Sequence, residues 1–368
     1  MAANWRIVHS EVSLGWGGQE HRILAELKGF RQRGAEVWLL APPGSEVFRR
    51  AKTADIACKP LAAARWQFPF AVLEVATWLR RVRPDVVNTH SSRDGWLVGF
   101  AARLARAPFI VRTRHIDVDY PNRWISRHAF TTLADHVITT SGKISGKFQQ
   151  LFGLPASRIS TVPTGVDLNR FRPDGPTASF PIPAEAAGLP LIGMVSVLRS
   201  WKGHATFFEA ARRVKEAGVR VHLVVVGGGP RFDYFKDLAR DRGVGDCATF
   251  TGYREDVPEI LRALSVLIIP STGHEGVPQI GLQALACRTP VVGSDVGGIP
   301  EIIREGETGR IFPVNDAAQL AVRIQETLRQ PELTRRIAER GRAFVEAEYS
   351  FDAMLDKLDA IYRRYLGV

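Results

Sequence analysis

Short apolar runs alternating with helical stretches, twice over, most constrain this 368-residue chain. In the first half the runs are Arg6–Ser10, Glu36–Ala41, Asp85–Thr89, Phe109–Thr113 and His136–Thr140. Gln19–Arg33, Phe70–Arg83 and Gly95–Arg106 carry helical spacing between them. The rhythm restarts at Leu191–Val197 and runs on through Arg220–Val226, Ala248–Thr251, Val266–Ile269 and Pro290–Gly293. Strands alternating with helices pair in parallel, because a parallel neighbour is reached only by a crossover. Residues 174–189 are rich in Pro, Gly and Ala and read as a linker. The expected architecture is α/β, with doubly wound parallel-sheet domains at 1–175 and 190–348, a linker at 176–189 and a last helix at 349–368. The length suits two cores better than one.

Sheets of this kind take ligands beyond the carboxyl ends of their strands, so the turns there hold the candidate residues. Gly17-Gly18 opens the first helix. Gly227-Gly228-Gly229 follows Arg220–Val226. The first makes a phosphate-sized niche, or a tight turn with no ligand, and neither is a dinucleotide fingerprint with its spaced glycines and acidic partner. Arg199 and Lys202 follow Leu191–Val197 just before a helix, where two cations suit a diphosphate and also suit open solvent. After Val266–Ile269 the polar turn Ser271–Gly276 carries Glu275, a helix is expected from Val277, and Gly297-Gly298 makes a second turn ending on Glu301. A helix start attracts anions. A carboxylate beside one fits neutral hydroxyls, and phosphate beside a polyhydroxyl is a nucleotide sugar. On the turn alone an ordinary βα turn with a surface Glu is the better reading.

The net charge of +11 is unevenly placed: residues 1–175 hold 25 Lys and Arg against 14 Asp and Glu, and the remainder is neutral. A basic half suggests an anionic partner, either a lipid surface or a phosphorylated acceptor. Solvated arginines explain the mixed Trp, Phe and Arg stretches 65–83 and 96–114 as well. No zinc spacing, basic heptad or RNP-like run points to nucleic acid. The three cysteines are scattered, as in a reducing cytoplasm. No run of 18 apolar residues spans a membrane, and Trp5–Ser10 is too short for a signal core.

The run Glu275-Gly-x-Pro, the polar pair Glu275 and Gln283 with seven residues between them, Pro290-Val-Val-x-Ser294 and Gly297-Gly-x-Pro-Glu301 resembles the donor-site signature of family-4 retaining glycosyltransferases. The resemblance covers nearly the whole chain and is densest from 191 to 304. It implies the GT-B fold, with two facing Rossmann-like domains and a final helix crossing back to the first. It implies a nucleotide-sugar donor, UDP-linked by the family's habit, with no cofactor and no metal. Arg199 and Lys202 then neutralise the leaving diphosphate, Glu275 holds donor-sugar hydroxyls, and His115 positions the sugar from the first domain. Gly17, Gly18, Gly228, Gly276 and Val277 bring backbone to the nucleotide, and Tyr253 and Arg254 frame the base. The family has a second Glu where this chain has Gln283, which keeps hydrogen-bonding capacity and loses charge.

Asp117-Val118-Asp119 looks like the metal motif of the other large glycosyltransferase fold but lies past its strand, and reads as loop carboxylates. His90, Arg93 and Asp94 read as solvated loop or acceptor cleft. The expected acceptor is an envelope glycan or glycolipid, made by a cytoplasmic enzyme at the inner membrane face. Other readings stay open: a sugar-nucleotide epimerase or hydrolase, a scaffold weakened at Gln283 and, more distantly, a nicotinamide dehydrogenase.

Overall fold

The computed structural model describes residues 5–61, 68–115 and 123–368. They divide into two compact units, one formed by Met1–Thr164 with Met354–Val368, the other by Gly165–Ala353.

In the first unit the strands are β1 (Arg6–Ser10), β2 (Glu36–Ala41), β3 (Ala57–Pro60), β4 (Val86–Thr89), β5 (Phe109–Arg114), β6 (His136–Thr139) and β7 (Ile159–Thr161). The helices are α1 (Gly18–Gln32), α2 (Glu46–Thr53), α3 (Phe68–Val82), α4 (Ser92–Ala105), α5 (Arg123–Thr131) and α6 (Gly142–Phe152). The sheet order is β3-β2-β1-β4-β5-β6-β7, parallel throughout. The order reverses between β1 and β4, which opens a crevice at their carboxyl ends. Val8, Leu40, Val87 and Ile110 pack under α3 and α4 in one core cluster.

The second unit has β8 (Leu191–Val195), β9 (His222–Val226), β10 (Ala248–Gly252), β11 (Val266–Ile269), β12 (Val291–Ser294) and β13 (Arg310–Phe312). Its helices are α7 (His204–Glu216), α8 (Phe232–Asp241), α9 (Val257–Ala263), α10 (Gln279–Ala286), α11 (Ile299–Ile302), α12 (Ala317–Arg329) and α13 (Pro331–Glu348). The order is β10-β9-β8-β11-β12-β13, again parallel, with its reversal between β8 and β11. Alternate side chains go to opposite faces: Ile192, Met194, Val266 and Ile268 join one core and Val224, Val226, Leu267 and Ile269 the other. Both faces are buried, which is why these strands read as continuous apolar runs.

The last helix, α14 (Phe351–Leu366), belongs to the first unit from Met354 onward. Tyr362 is fully buried there against Trp5 and Phe30, and Tyr365 stacks on Phe109 at 4.4 Å.

Several expectations shift. The first unit ends at Thr164, not 175, and the stretch expected as a linker packs on the second unit: Ala178 N donates to Glu259 O at 2.9 Å and Phe180 joins the core beside α9. The helix expected from Val277 starts at Gln279, with Pro278 as its cap. A residue before proline is pushed out of the helical region, so Val277 cannot open the helix. Glu301 lies inside α11 rather than at the end of a turn. Asp117 and Asp119 lie outside the described residues.

Candidate active site

In the second unit Lys202 follows β8 and Glu275 follows β11, the two strands flanking the reversal. Lys202 Nζ donates to Glu275 Oε1 at 2.5 Å, and Ser271 Oγ donates to the same oxygen at 2.7 Å. The backbone holds both loops in place. Thr272 N donates to Trp201 O at 2.8 Å, and Ser294 Oγ donates to Ser271 O at 2.6 Å. Gly203 has φ +76, and a Cβ there would stand 1.7 Å from Pro270 O. Gly298 lies flat on the backbone of Gly276 and Val277, where a Cβ would meet three atoms at 2.8 Å. His274, just before Glu275, takes a left-handed backbone at φ +56, a strained choice for a non-glycine residue. Arg199 is exposed, with its guanidinium 5.1 Å from the Trp201 ring centre.

Gln283 lies on α10, half-buried, and its side chain makes no hydrogen bond among the described residues. Gly227 is fixed by packing, since a Cβ would fall 1.8 Å from Ser196 O, whereas Gly228 has Tyr253 Cβ no closer than 3.8 Å. Tyr253 is exposed. Arg254 is already engaged: it pairs with Asp256, donates to Ser179 O at 3.0 Å and lies over Phe180. It fastens the 178–180 stretch to the domain.

In the first unit Gly17 caps α1, and its N–H already donates to Glu20 Oε2 at 2.8 Å. A Cβ on Gly17 would meet nothing nearer than that carboxylate at 3.5 Å, so the protein's own packing does not demand this glycine. Gly18 is the first residue of α1. His115 directly follows β5 in a buried place, and its Nε2 is 2.9 Å from His90 Nδ1. Thr140 Oγ1 donates to His115 O at 3.0 Å and fixes the strand end. Burial pushes the His115 imidazole well below its ordinary pKa, helped by the Arg22 and Arg114 charges.

His90 and Asp94 are fully buried, which overturns the solvated-loop reading for those two, while Arg93 between them is exposed. Asp94 caps α4: its Oδ1 accepts from Ser91 N at 2.8 Å, and its Oδ2 accepts from His90 N at 2.9 Å and Ser10 Oγ at 2.7 Å. Glu11, at the end of β1, is also fully buried, and its Oε1 accepts from Val12 N and Ser13 N, each at 2.8 Å. Burial raises its carboxyl to about 7, with the Asp94 charge adding to the effect. Sequence reading passed over Glu11 and His9. The available signal was that each sits at the end of an apolar run, and only the strand order makes those ends neighbours.

Residues 177–344 match the family described as Glycosyl transferases group 1, and residues 16–170 match Glycosyltransferase Family 4. The chain belongs to the family-4 glycosyltransferases. The alpha-D-kanosaminyltransferase of Streptomyces kanamyceticus is 28% identical over 285 residues, 76% of this chain and 70% of the relative. A GDP-mannose-dependent alpha-(1-6)-phosphatidylinositol monomannoside mannosyltransferase of Mycobacterium tuberculosis is 29% identical over 278 residues, 70% of each. Among solved structures, Anabaena HepE in complex with UDP-glucose superposes with a TM-score of 0.83 over 99% of this chain and all of its own, at 20% identity. The family-4 fold here is GT-B, with two parallel Rossmann-like sheets. Among the described residues no helix is long and apolar enough to cross a membrane.

Proposed function

We propose that this family-4 glycosyltransferase moves a sugar from a nucleoside diphosphate sugar, UDP-linked, to a glycan or glycolipid of the cell envelope, with retention of configuration and without a metal. The observation that carries the donor site is the Lys202–Glu275 pair across the sheet reversal of the second unit. A cation and a carboxylate held together at one point can serve the two ends of such a donor. Lys202 and the exposed Arg199 take the diphosphate charge, and Glu275 takes sugar hydroxyls. Stabilising charge that builds on the leaving diphosphate lowers the barrier without any protein nucleophile. His115 holds a donor-sugar hydroxyl. Gln283, unpaired among the described residues, is free for the ribose. Arg254 is left out of this reading because Asp256 and Ser179 already occupy it.

UDP is favoured by the fold-level likeness to HepE, and GDP by the mannosyltransferase relative. Calorimetry of the purified protein with UDP, GDP, CMP and NAD, in EDTA, separates them. Tight UDP binding that disappears in Lys202→Ala is the expected result. Binding of none of the four turns the reading towards a scaffold that lost its donor.

A further inference from the structure

Three buried imidazoles stand in line across the reversal of the first sheet, at the ends of the adjacent strands β1, β4 and β5. His9 Nδ1 is 2.8 Å from His90 Nε2, and His90 Nδ1 is 2.9 Å from His115 Nε2. The rings meet nitrogen to nitrogen, and among the described residues no three His, Cys, Asp or Glu side chains gather as a metal site. The inner end of the line closes on α1. Glu26 Oε2 lies 3.9 Å from His9 Nε2, and Glu26 Oε1 accepts from Arg22 Nε at 2.5 Å, all three side chains being fully buried. Arg22 Nη1 also donates to Val162 O at 2.6 Å, which fixes the pair from β7's end of the sheet.

The direction of the line follows from its closed end. At 3.9 Å Glu26 Oε2 and His9 Nε2 make no hydrogen bond and neither has another partner among the described residues, but a carboxylate oxygen repels a ring lone pair and attracts a ring N–H, which favours the proton of His9 on Nε2. His9 Nδ1 is then an acceptor, and the 2.8 Å contact requires Nε2–H on His90. His90 Nδ1 becomes an acceptor in turn, and the 2.9 Å contact requires Nε2–H on His115. The remaining lone pair falls on His115 Nδ1, which has no hydrogen-bond partner among the described residues. Burial keeps His9 down to about 4 and the other two well below the ordinary range, so all three rings are neutral at pH 7.

We propose that Glu26, acting through His9 and His90, sets the tautomer of His115 and makes its Nδ1 a hydrogen-bond acceptor for a donor-sugar hydroxyl. The sugar contact rests on the reading of His115 given above, and the tautomer chain stands apart from it. Glu26, His9 and His90 are positioning residues.

The test is 15N NMR of histidine tautomers in the whole protein, alone and with UDP-glucose or GDP-mannose. All three histidines are expected as neutral Nε2–H forms, with His115 Nδ1 shifting on donor addition. A His115 that carries its proton on Nδ1, or that exchanges between forms, overturns the chain even if donor binding is normal. The expected tautomers with no donor shift at Nδ1 overturn the sugar contact instead.

Glu26→Gln gives a second readout. Its amide oxygen stays on the Arg22 N–H, so its NH2 faces His9 Nε2 and must find an acceptor there. All three histidines then switch to Nδ1–H together, and the donor KM rises about tenfold as the sugar hydroxyl is forced to accept. A variant that keeps the wild-type tautomers sinks the proposal. If it does not fold, the wild-type spectrum still decides.

Discussion

Lys202 Nζ rests on Glu275 Oε1 at 2.5 Å, and the contact joins the loops after β8 and β11 at the reversal of the second sheet. The Glu275 side chain is 9% exposed and that of Lys202 24%. A carboxylate this enclosed would be costly without its cation. Each residue therefore stabilises the other, and an arriving diphosphate competes with Glu275 for the ammonium.

The pair predicts opposite results from its two halves. Lys202→Ala removes the point charge from the phosphate and leaves Glu275 uncompensated. Nucleotide affinity should fall about 10- to 100-fold, the worth of a charge-assisted hydrogen bond. Glu275→Gln frees Lys202 from its competitor. UDP alone should bind as well as before or better, while turnover of the sugar donor falls about 100-fold. Calorimetry and a donor-turnover assay on both variants check this. Equal loss of UDP affinity in the two would show that the pair is only structural.

Gln283→Glu gives the reverse test of an observed departure. A ribose hydroxyl bonded to a carboxylate gains about 1 kcal/mol over a neutral partner. Nucleotide affinity should rise about fivefold, with turnover rising or unchanged. A fall would mean that the surroundings of α10 have adapted to the neutral side chain.

Much of this was legible in sequence because both sheets are buried on both faces. Runs such as Val266–Ile269 have no polar alternation to disguise them, and the glycine turns at Gly227 and Gly297-Gly298 mark where the backbone must pass close to another loop. What stayed hidden depends on strand order. His9, His90 and His115 are separated by 81 and 25 residues and meet because β1, β4 and β5 are neighbours. The family resemblance implied a base contact for Arg254, and nothing near it in sequence revealed that the carbonyl of Ser179, 75 residues away, would join Asp256 in engaging it. The 178–180 stretch looked like linker because it lies within 174–189, which is rich in Pro, Gly and Ala, and its anchoring comes from α9 far along the chain.

Gly203→Ala should damage the donor loop and the fold together. The position has φ +76 and a Cβ would overlap Pro270 O at 1.7 Å. The left-handed backbone alone costs about 1–2 kcal/mol for a residue with a Cβ. The overlap must also push the Pro270 loop, and with it Ser271 and Glu275. Urea unfolding should show a lower midpoint with an unchanged slope, and the donor KM should rise. Gly218→Ala, with φ +75 and open space around it, isolates the backbone cost. Equal destabilisation by both would mean that the Pro270 contact is slack.

The basic first half predicts a surface effect. Phe70 and Leu73 on α3 and Phe100 and Leu104 on α4 are exposed, on helices packed side by side, and Arg80 and Arg81 near the end of α3 are exposed as well. The protein should sediment with vesicles containing anionic lipid, and less so as salt rises, because exposed charges are screened within about 8 Å at physiological ionic strength. Phe70→Ser with Leu73→Ser should reduce the bound fraction several-fold. Equal binding to neutral vesicles, or none to anionic ones, removes the membrane from the proposed function.

Glu11 gives stability a definite pH dependence. Its carboxyl is raised from 4.5 to about 7 by burial, with Asp94 adding to it, so the folded protein holds a proton there that the unfolded chain releases. Stability from this group is complete below about pH 4.5 and is lost as pH rises towards 7, since the native state binds more protons across that window. Glu11→Gln keeps the acceptor for Val12 N and Ser13 N and removes the titration. The variant should therefore match the wild type near pH 4.5 and exceed it by about 1–3 kcal/mol at pH 8. Buried His9, lowered to about 4, acts in the opposite sense in both proteins and cancels in the difference. Urea midpoints of the two proteins between pH 4.5 and 8 measure the gap. A gap that is constant across the range would mean that Glu11 titrates normally and that its enclosure beside Asp94 carries no charge penalty.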